Sequence, residues 1–281
     1  MKKILLLMVV SAISLSGRAQ IQTPQPSPSA RIEQKVGLTD VTLEYSRPGV
    51  RGRDVFGDLV PYGKVWRTGA NNNTTITFSD DVVIDAKALP AGTYAIYTIP
   101  KQNEWDVMFY KNTENWGLPQ EWDENQVALK TTVEAQNMPI KMETFTIIID
   151  ELQNDSATLN FIWDDTVAML QFEVPTDEKA TASIDEVMSG EPGPNDYFAA
   201  ATYYHDQNKD LDKAYDWIQK ATEGQDPAFW VLRRKSLIEA DMGKKDAAIE
   251  SAKKSLAAAE KAGNADYAKM NKDSLKEWGA M

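Results

Sequence analysis

The period of the apolar residues changes once along this chain, and the change divides it in two. From about residue 31 to 175 apolar side chains recur at every second position. Val41, Leu43 and Tyr45 alternate with Thr42, Glu44 and Ser46, and Trp105, Val107 and Phe109 alternate with Asp106, Met108 and Tyr110. Phe145, Ile147 and Ile149 share one face, as do Ala157, Leu159, Phe161 and Trp163. Period two with β-branched and aromatic residues is the signature of strands. Leu-Pro-Ala-Gly at 89–92, Gln-Asn-Asp-Ser at 153–156 and Asp164-Asp165 supply turn chemistry between them. Nine or ten short strands are expected, with a helical turn as an option at 119–127. Many short strands at hairpin spacing imply an antiparallel β-sandwich, with a barrel as the alternative.

Residues 176–194 read as a linker. A short helix over Ala182–Met188 is followed by Ser-Gly-Glu-Pro-Gly-Pro, which punctuates the chain too densely for either period. From 195 to 281 the period is helical. Asn195 or Asp196, Asp210, Asp226 (followed by Pro227) and Asn264 stand where helix caps are wanted, and Gly243 and Gly263 where helices end. An offset of 34 residues lays Tyr203 on Leu237, Ala214 on Ala248 and Ile218 on Ala252, and superposes the turns. Helix-turn-helix units with small residues at that period resemble tetratricopeptide repeats, so an all-α tetratricopeptide-like array is expected.

The first residues predict export. Lys2 and Lys3 precede an apolar run, Ile4–Ile13, and Gly17 and Ala19 are placed as a small-x-small cleavage site. The run falls short of the ~20 residues that span a bilayer, so residues 1–19 read as a signal peptide, with no transmembrane segment in the mature chain. The mature protein is then periplasmic or secreted. Residues 20–30, rich in Pro, Ser and Gln, read as an extended, mobile tether.

Composition narrows the chemistry. The absence of cysteine removes disulfides, thiolate metal sites and thiol nucleophiles, and a single histidine, His205, leaves little room for a histidine zinc site or a Ser-His-Asp triad. His205 reads as a surface residue of a helix. A net charge of −12 argues against nucleic acid as a partner. Nothing in the sequence calls for a cofactor, a metal or a catalytic residue. Acidic pairs such as Asp80-Asp81, Asp150-Glu151 and Asp164-Asp165 read as solvated turn residues.

One stretch is unusually dense. It runs Tyr45-Ser-Arg-Pro-Gly-Val-Arg-Gly-Arg53, Phe56-Gly-Asp-Leu-Val-Pro-Tyr-Gly63 and Val65-Trp-Arg-Thr-Gly-Ala-Asn-Asn72. With Leu89-Pro-Ala-Gly-Thr-Tyr94 and the later Trp105-x-Val107 strand, it resembles the family catalogued as domain of unknown function 2911, over about residues 28–174. The resemblance implies an exported bacterial β-domain, sometimes followed by tetratricopeptide repeats, and no particular activity.

Within this stretch Arg47, Arg51, Arg53, Lys64 and Arg67 gather positive charge on an acidic chain, beside Tyr62, Trp66, Asn71, Asn72 and Asn73. Guanidinium forks suit carboxylates and phosphates, aromatic faces suit sugar rings, and amides suit hydroxyls, so a glycan or small anion is one reading. The other is structural: arginines pairing with Asp54 and Asp58 to fix long loops, and asparagines shaping turns. Trp105 reads as core, whereas Trp116 and Trp122 fall in a loop where exposure would be telling. In the helical part Tyr203, Tyr204, Phe229 and Trp230 are candidates for a groove that holds a protein or peptide, with packing between helices as the alternative. The expectation as a whole is a non-catalytic envelope protein: a recognition or structural β-domain joined to a protein-binding array, with a carbohydrate-binding or carbohydrate-active β-domain as the alternative.

Overall fold

A computed structural model of the protein describes residues 23–224 and 226–281; segment 1–19, which the sequence reads as a signal peptide, lies outside them. The chain divides after Pro175 into two compact units.

The first unit is β-sheet. Strands β1 (Ser29–Val36), β2 (Thr39–Ser46), β3 (Thr75–Phe78), β4 (Val82–Ile84), β5 (Lys87–Leu89), β6 (Gly92–Pro100), β7 (Glu104–Tyr110), β8 (Val127–Asp150) and β9 (Ser156–Glu173) form a nine-stranded antiparallel sheet. Their order is β1-β2-β3-β6-β7-β8-β9-β4-β5. Strand β8 makes the sheet two-layered. Its first part pairs with β7, from Tyr110↔Val127 to Glu104↔Glu134. Its remainder pairs with β9, from Ala135↔Ala168 to Asp150↔Thr158, with register shifts around Met142 that bend the ladder.

The core lies between the two halves. Leu43 and Tyr45 of β2 share one buried cluster with Phe145 and Ile147 of β8 and with Phe161, Trp163 and Phe172 of β9. The Tyr45 hydroxyl crosses the core, donating to the Ile147 carbonyl (3.1 Å) and accepting from its N–H (3.0 Å). A sheet folded over its own apolar face is the sandwich that the alternation predicts.

Three features depart from the sequence reading. Asp164-Asp165 is no turn between strands; it lies inside β9 at the bulge, where Asp164 takes a left-handed φ of 51°. Strand β7 buries both faces: Asp106, Met108 and Tyr110 are as enclosed as their alternating partners. The cover is the segment 111–126, which lays the half-buried Trp122 against Tyr97 and Tyr110, at ring-centroid distances of 5.3 and 4.8 Å, and carries a 3-10 turn at Glu124–Gln126. The tether is also held from residue 25: Arg47 N–H donates to the Pro28 carbonyl (2.9 Å), Asn71 Nδ2 to Gln25 Oε1 (3.2 Å) and the Ser27 carbonyl (3.0 Å), and Arg51 to the carbonyl of Pro26.

The second unit is helical: α1 (Thr176–Met188), α2 (Pro194–Asp206), α3 (Leu211–Ala221), α4 (Phe229–Asp241), α5 (Lys245–Lys261) and α6 (Ala265–Glu277). The alanines matched by the 34-residue offset sit at helix crossings, where Ala214, Ala248 and Ala252 are fully buried. Asp210 and Asn264 cap α3 and α6, accepting from Lys213 N–H and Tyr267 N–H at 3.0 Å.

Here too there are departures. Helix α1 begins at Thr176, well before Ala182, because Asp177 anchors it to α2 and its end through Tyr203 Oη (2.9 Å) and Lys209. Neither Asn195 nor Asp196 is the first cap of α2, which is Gly193; both lie in the first turn, and Asp196 accepts from Gly193 N–H (2.8 Å). Asp226 does not cap α4, since its φ of 57° is left-handed rather than extended, and the helix opens at Phe229. His205 is no surface residue: its side chain is 11% exposed and bridges α2 to α4. Arg234 Nη1 donates to its Nδ1 and its Nε2 meets Asp241 Oδ2, each at 2.7 Å. An acceptor at Nδ1 places the ring proton on Nε2. Among the described residues no helix is long and apolar enough to cross a membrane.

Candidate functional site

Residues 47–74 connect β2 to β3 with only isolated bridges of their own, so their backbone groups need other partners. Arginines supply them. Arg47 Nε donates to the Phe145 carbonyl (3.1 Å) and its Nη2 to Thr146 Oγ1 (2.7 Å), tying the loop to β8. Arg53 clamps its own loop through the carbonyls of Val50 (3.0 Å) and Gly49 (2.6 Å). Arg51 holds Pro26. The partners are carbonyls and one hydroxyl rather than the carboxylates of Asp54 and Asp58.

Trp66 belongs to the core. Its ring stacks on Trp163 (5.7 Å, 16° between planes) and meets Phe56, Trp105 and Phe145 edge to face. Its backbone forms a bridge with Thr98, with N···O distances of 2.7 and 3.0 Å. Beyond it the chain turns left-handed at Thr68 (φ 55°), Gly69 (φ 150°) and Asn71 (φ 58°). A buried β-branched residue at positive φ costs on the order of 1–3 kcal/mol. Thr68 is held there by its hydroxyl against Thr98 Oγ1 (3.0 Å) and by Thr74 Oγ1 donating to its carbonyl (2.6 Å). Position 69 admits only glycine: a Cβ there would stand 2.9 Å from Thr74 Oγ1 and 3.0 Å from the Ser46 carbonyl.

This strained turn projects Arg67. Its Nη1 donates to the Asn71 carbonyl (3.0 Å), and the backbone of Gly117 lies over the guanidinium, where a Cβ would come within 2.8 Å of Nη1. Gly117 is itself fixed by the Tyr97 hydroxyl (3.0 Å) and by the Asn73 amide, which in the orientation that satisfies both its ends donates to the carbonyls of Gly117 (2.8 Å) and Asn115 (2.9 Å). Burial raises the Tyr97 phenol above its ordinary pKa, so it remains a donor. Arg67 Nε and Nη2 have no hydrogen-bond partner among the described residues. Next to Gly117 stands Trp116, 72% exposed.

A cleft of about 480 Å³ opens here, lined by Arg51, Arg53, Trp66, Arg67, Asn71 and Trp116, with Pro26 and Ser27 along one side and Trp163 in its floor. Every charged residue that lines it is an arginine, on a protein of net charge −12. Among the described residues none of the lining side chains is Asp, Glu, His or Cys; the carboxylate of Glu143 adjoins the cleft, its Oε1 accepting from Arg51 N–H (2.9 Å). The arrangement is chemically suited to an anion: guanidinium N–H groups match a carboxylate or phosphate, and the Trp116 ring offers a face to a sugar or aromatic ring.

The sequence candidates thus separate. Arg51, Arg53, Trp66, Arg67 and Asn71 meet in one cleft, although Trp66 contributes from the core side. Arg47 is turned to β8. Asn72 and Asn73 line a neighbouring cleft of about 900 Å³, which shares Asn71 and Trp116 with the first, and Asn73 is buried as a loop pin. Tyr62 lies against Gly57 in a different, acidic cleft with Asp54, Asp58, Asp164 and Asp165. Trp116, noted in the sequence as a loop tryptophan whose exposure would be telling, and Gly117 join the cationic candidates at this cleft.

In the helical unit Tyr204 is core, with its ring 4.8 Å from that of Trp217, and Tyr203 is spent on Asp177. Phe229 packs on Tyr267 at 4.9 Å. Trp230 is 45% exposed.

A family profile described as "Protein of unknown function (DUF2911)" matches residues 27–172. No curated protein and no solved structure matches the chain.

Proposed function

The chain belongs to the DUF2911 family through its β-domain, and from that premise we propose a non-catalytic binding protein whose β-domain holds an anionic ring compound, a uronic-acid sugar being the type, in the Arg67–Trp116 cleft. One observation carries the reading: Arg67 is locked between Asn71 and Gly117 with Nε and Nη2 still free, beside an exposed indole, in a cleft whose lining charges are all positive. A donor fork fixed before binding loses little side-chain freedom when it grips a carboxylate.

The wider setting follows the sequence. The basic start, the apolar run Ile4–Ile13 and the small residues at Gly17 and Ala19 support export. The 34-residue offset and the buried Ala214 and Ala248 support a tetratricopeptide-like helical unit serving a protein partner.

The test is calorimetric titration with glucuronate and galacturonate beside glucose and galactose. The acids are expected to bind and the neutral sugars to bind at least tenfold more weakly. Arg67→Gln is expected to remove that preference, and Trp116→Ala to weaken all binding. Equal affinity for acids and neutral sugars, or binding untouched by either substitution, overturns the proposal.

A further inference from the structure

The helical unit carries a second concave surface. A groove of about 850 Å³ runs between the start of α4 and the latter half of α5, with Phe229, Trp230 and Leu232 on one side and a wall of serine and alanines on the other. Lys235, Lys254 and Lys261 also line it, against a single acid, Asp226. The small residues let an extended backbone lie close to α5. Trp230 is held against Phe229 edge to face at 4.9 Å, and Phe229 is braced in turn by Tyr267. Fixed, half-exposed tryptophans are the side chains on which binding energy concentrates.

The lysines decide what the groove accepts. Lys261 has no ion-pair or hydrogen-bond partner among the described residues, and Lys235 Nζ donates to a neutral group, Thr222 Oγ1 (3.2 Å). Lys254 pairs with Glu250 (2.6 Å) in an exposed contact one helical turn long, which a docked carboxylate can replace. Three cations around an apolar groove oppose the same face of a second copy and complement acid.

We infer that this groove docks an extended acidic segment of a partner protein, with an apolar side chain seated against Trp230 and carboxylates on Lys254 and Lys261. The inference rests on the reading of the helical unit as a partner-binding array and names the site and chemistry of that partner.

The experiment is fluorescence anisotropy of the full chain with three labelled peptides of one length, alternating Leu with Glu, Gln or Lys. The Glu peptide is expected to bind at least tenfold more tightly than the others, with the preference shrinking as salt rises. Trp230→Ala and the pair Lys254→Gln with Lys261→Gln are each expected to weaken it tenfold or more at an unchanged melting temperature, while Arg67→Gln leaves it intact. Equal binding of Glu and Gln peptides, or no binding, overturns the inference. If the Glu peptide binds regardless of the groove substitutions, the partner-binding reading survives and this site does not. Concentration-dependent dimers lost in Trp230→Asp give the groove to a second copy, which also overturns it.

Discussion

Arg47, Arg51, Arg53 and Arg67 are chemically identical, and only their partners separate structure from recognition. Arg47 and Arg53 spend their donors on the β-domain itself, Arg51 spends one on residue 26, and Arg67 keeps two free. The tryptophans divide in the same way. Trp66→Ala removes a ring packed on four aromatic neighbours and is expected to cost about 3–5 kcal/mol in urea unfolding. Trp116→Ala, at a residue 72% exposed, is expected to stay within about 0.5 kcal/mol of the parent while losing ligand. That distinction was beyond the sequence: both residues are tryptophans beside Arg or Gly in loop-like text, and burial depends on strands far along the chain. Asp106 offers a test by pH. Burial raises its pKa, but hydrogen bonds from Lys130, Thr132 and Lys101 outweigh this and hold the carboxyl below its ordinary value. The stability it contributes is therefore complete above the unfolded carboxylate pKa, near 4, and is lost as pH falls through the lower folded value. Melting temperatures of Asp106→Asn are expected to fall less steeply than the parent's below about pH 4.

At the scale of elements, alternation was legible where one face alone is buried, as in β2, and misleading where a distant segment covers the second face. β7 reads as half-polar because Asp106 is buried with three cationic or hydroxyl partners, and because residues 111–126 supply a lid that no periodicity announces. The caps of α3 and α6 were legible since Asp and Asn act locally; α4 was not, because Asp226 adopts a left-handed turn. The lid gives a prediction. Tyr97→Phe leaves the carbonyl of Gly117 with the Asn73 amide as its remaining side-chain donor and is expected to cost about 1 kcal/mol. It is also expected to quicken proteolysis within 111–126, read by mass spectrometry of the first cleavage products, since that segment then opens locally.

At the scale of the molecule, the chain divides after Pro175, where the period-two pattern also ends, and the stretch 176–194 that reads as a linker begins with α1. Ile184 of α1 packs with the cluster of α2 and α3, so the break between units is at Pro175. Residues 23–175 alone are expected to keep the strand signature of the β-domain in circular dichroism and the blue-shifted emission of its buried tryptophans. Ending at 194 instead leaves α1 without its packing partners, and extra helical signal that melts separately is the expected mark. The segment ahead of β1 carries a consequence of its own. Pro26 and Ser27 form one side of the arginine cleft, fastened by Arg51 and Asn71. A chain trimmed to start at Ser29 is expected to keep every strand yet to leave the cleft open along that side, so residues ahead of the first strand help set how large a guest it could admit.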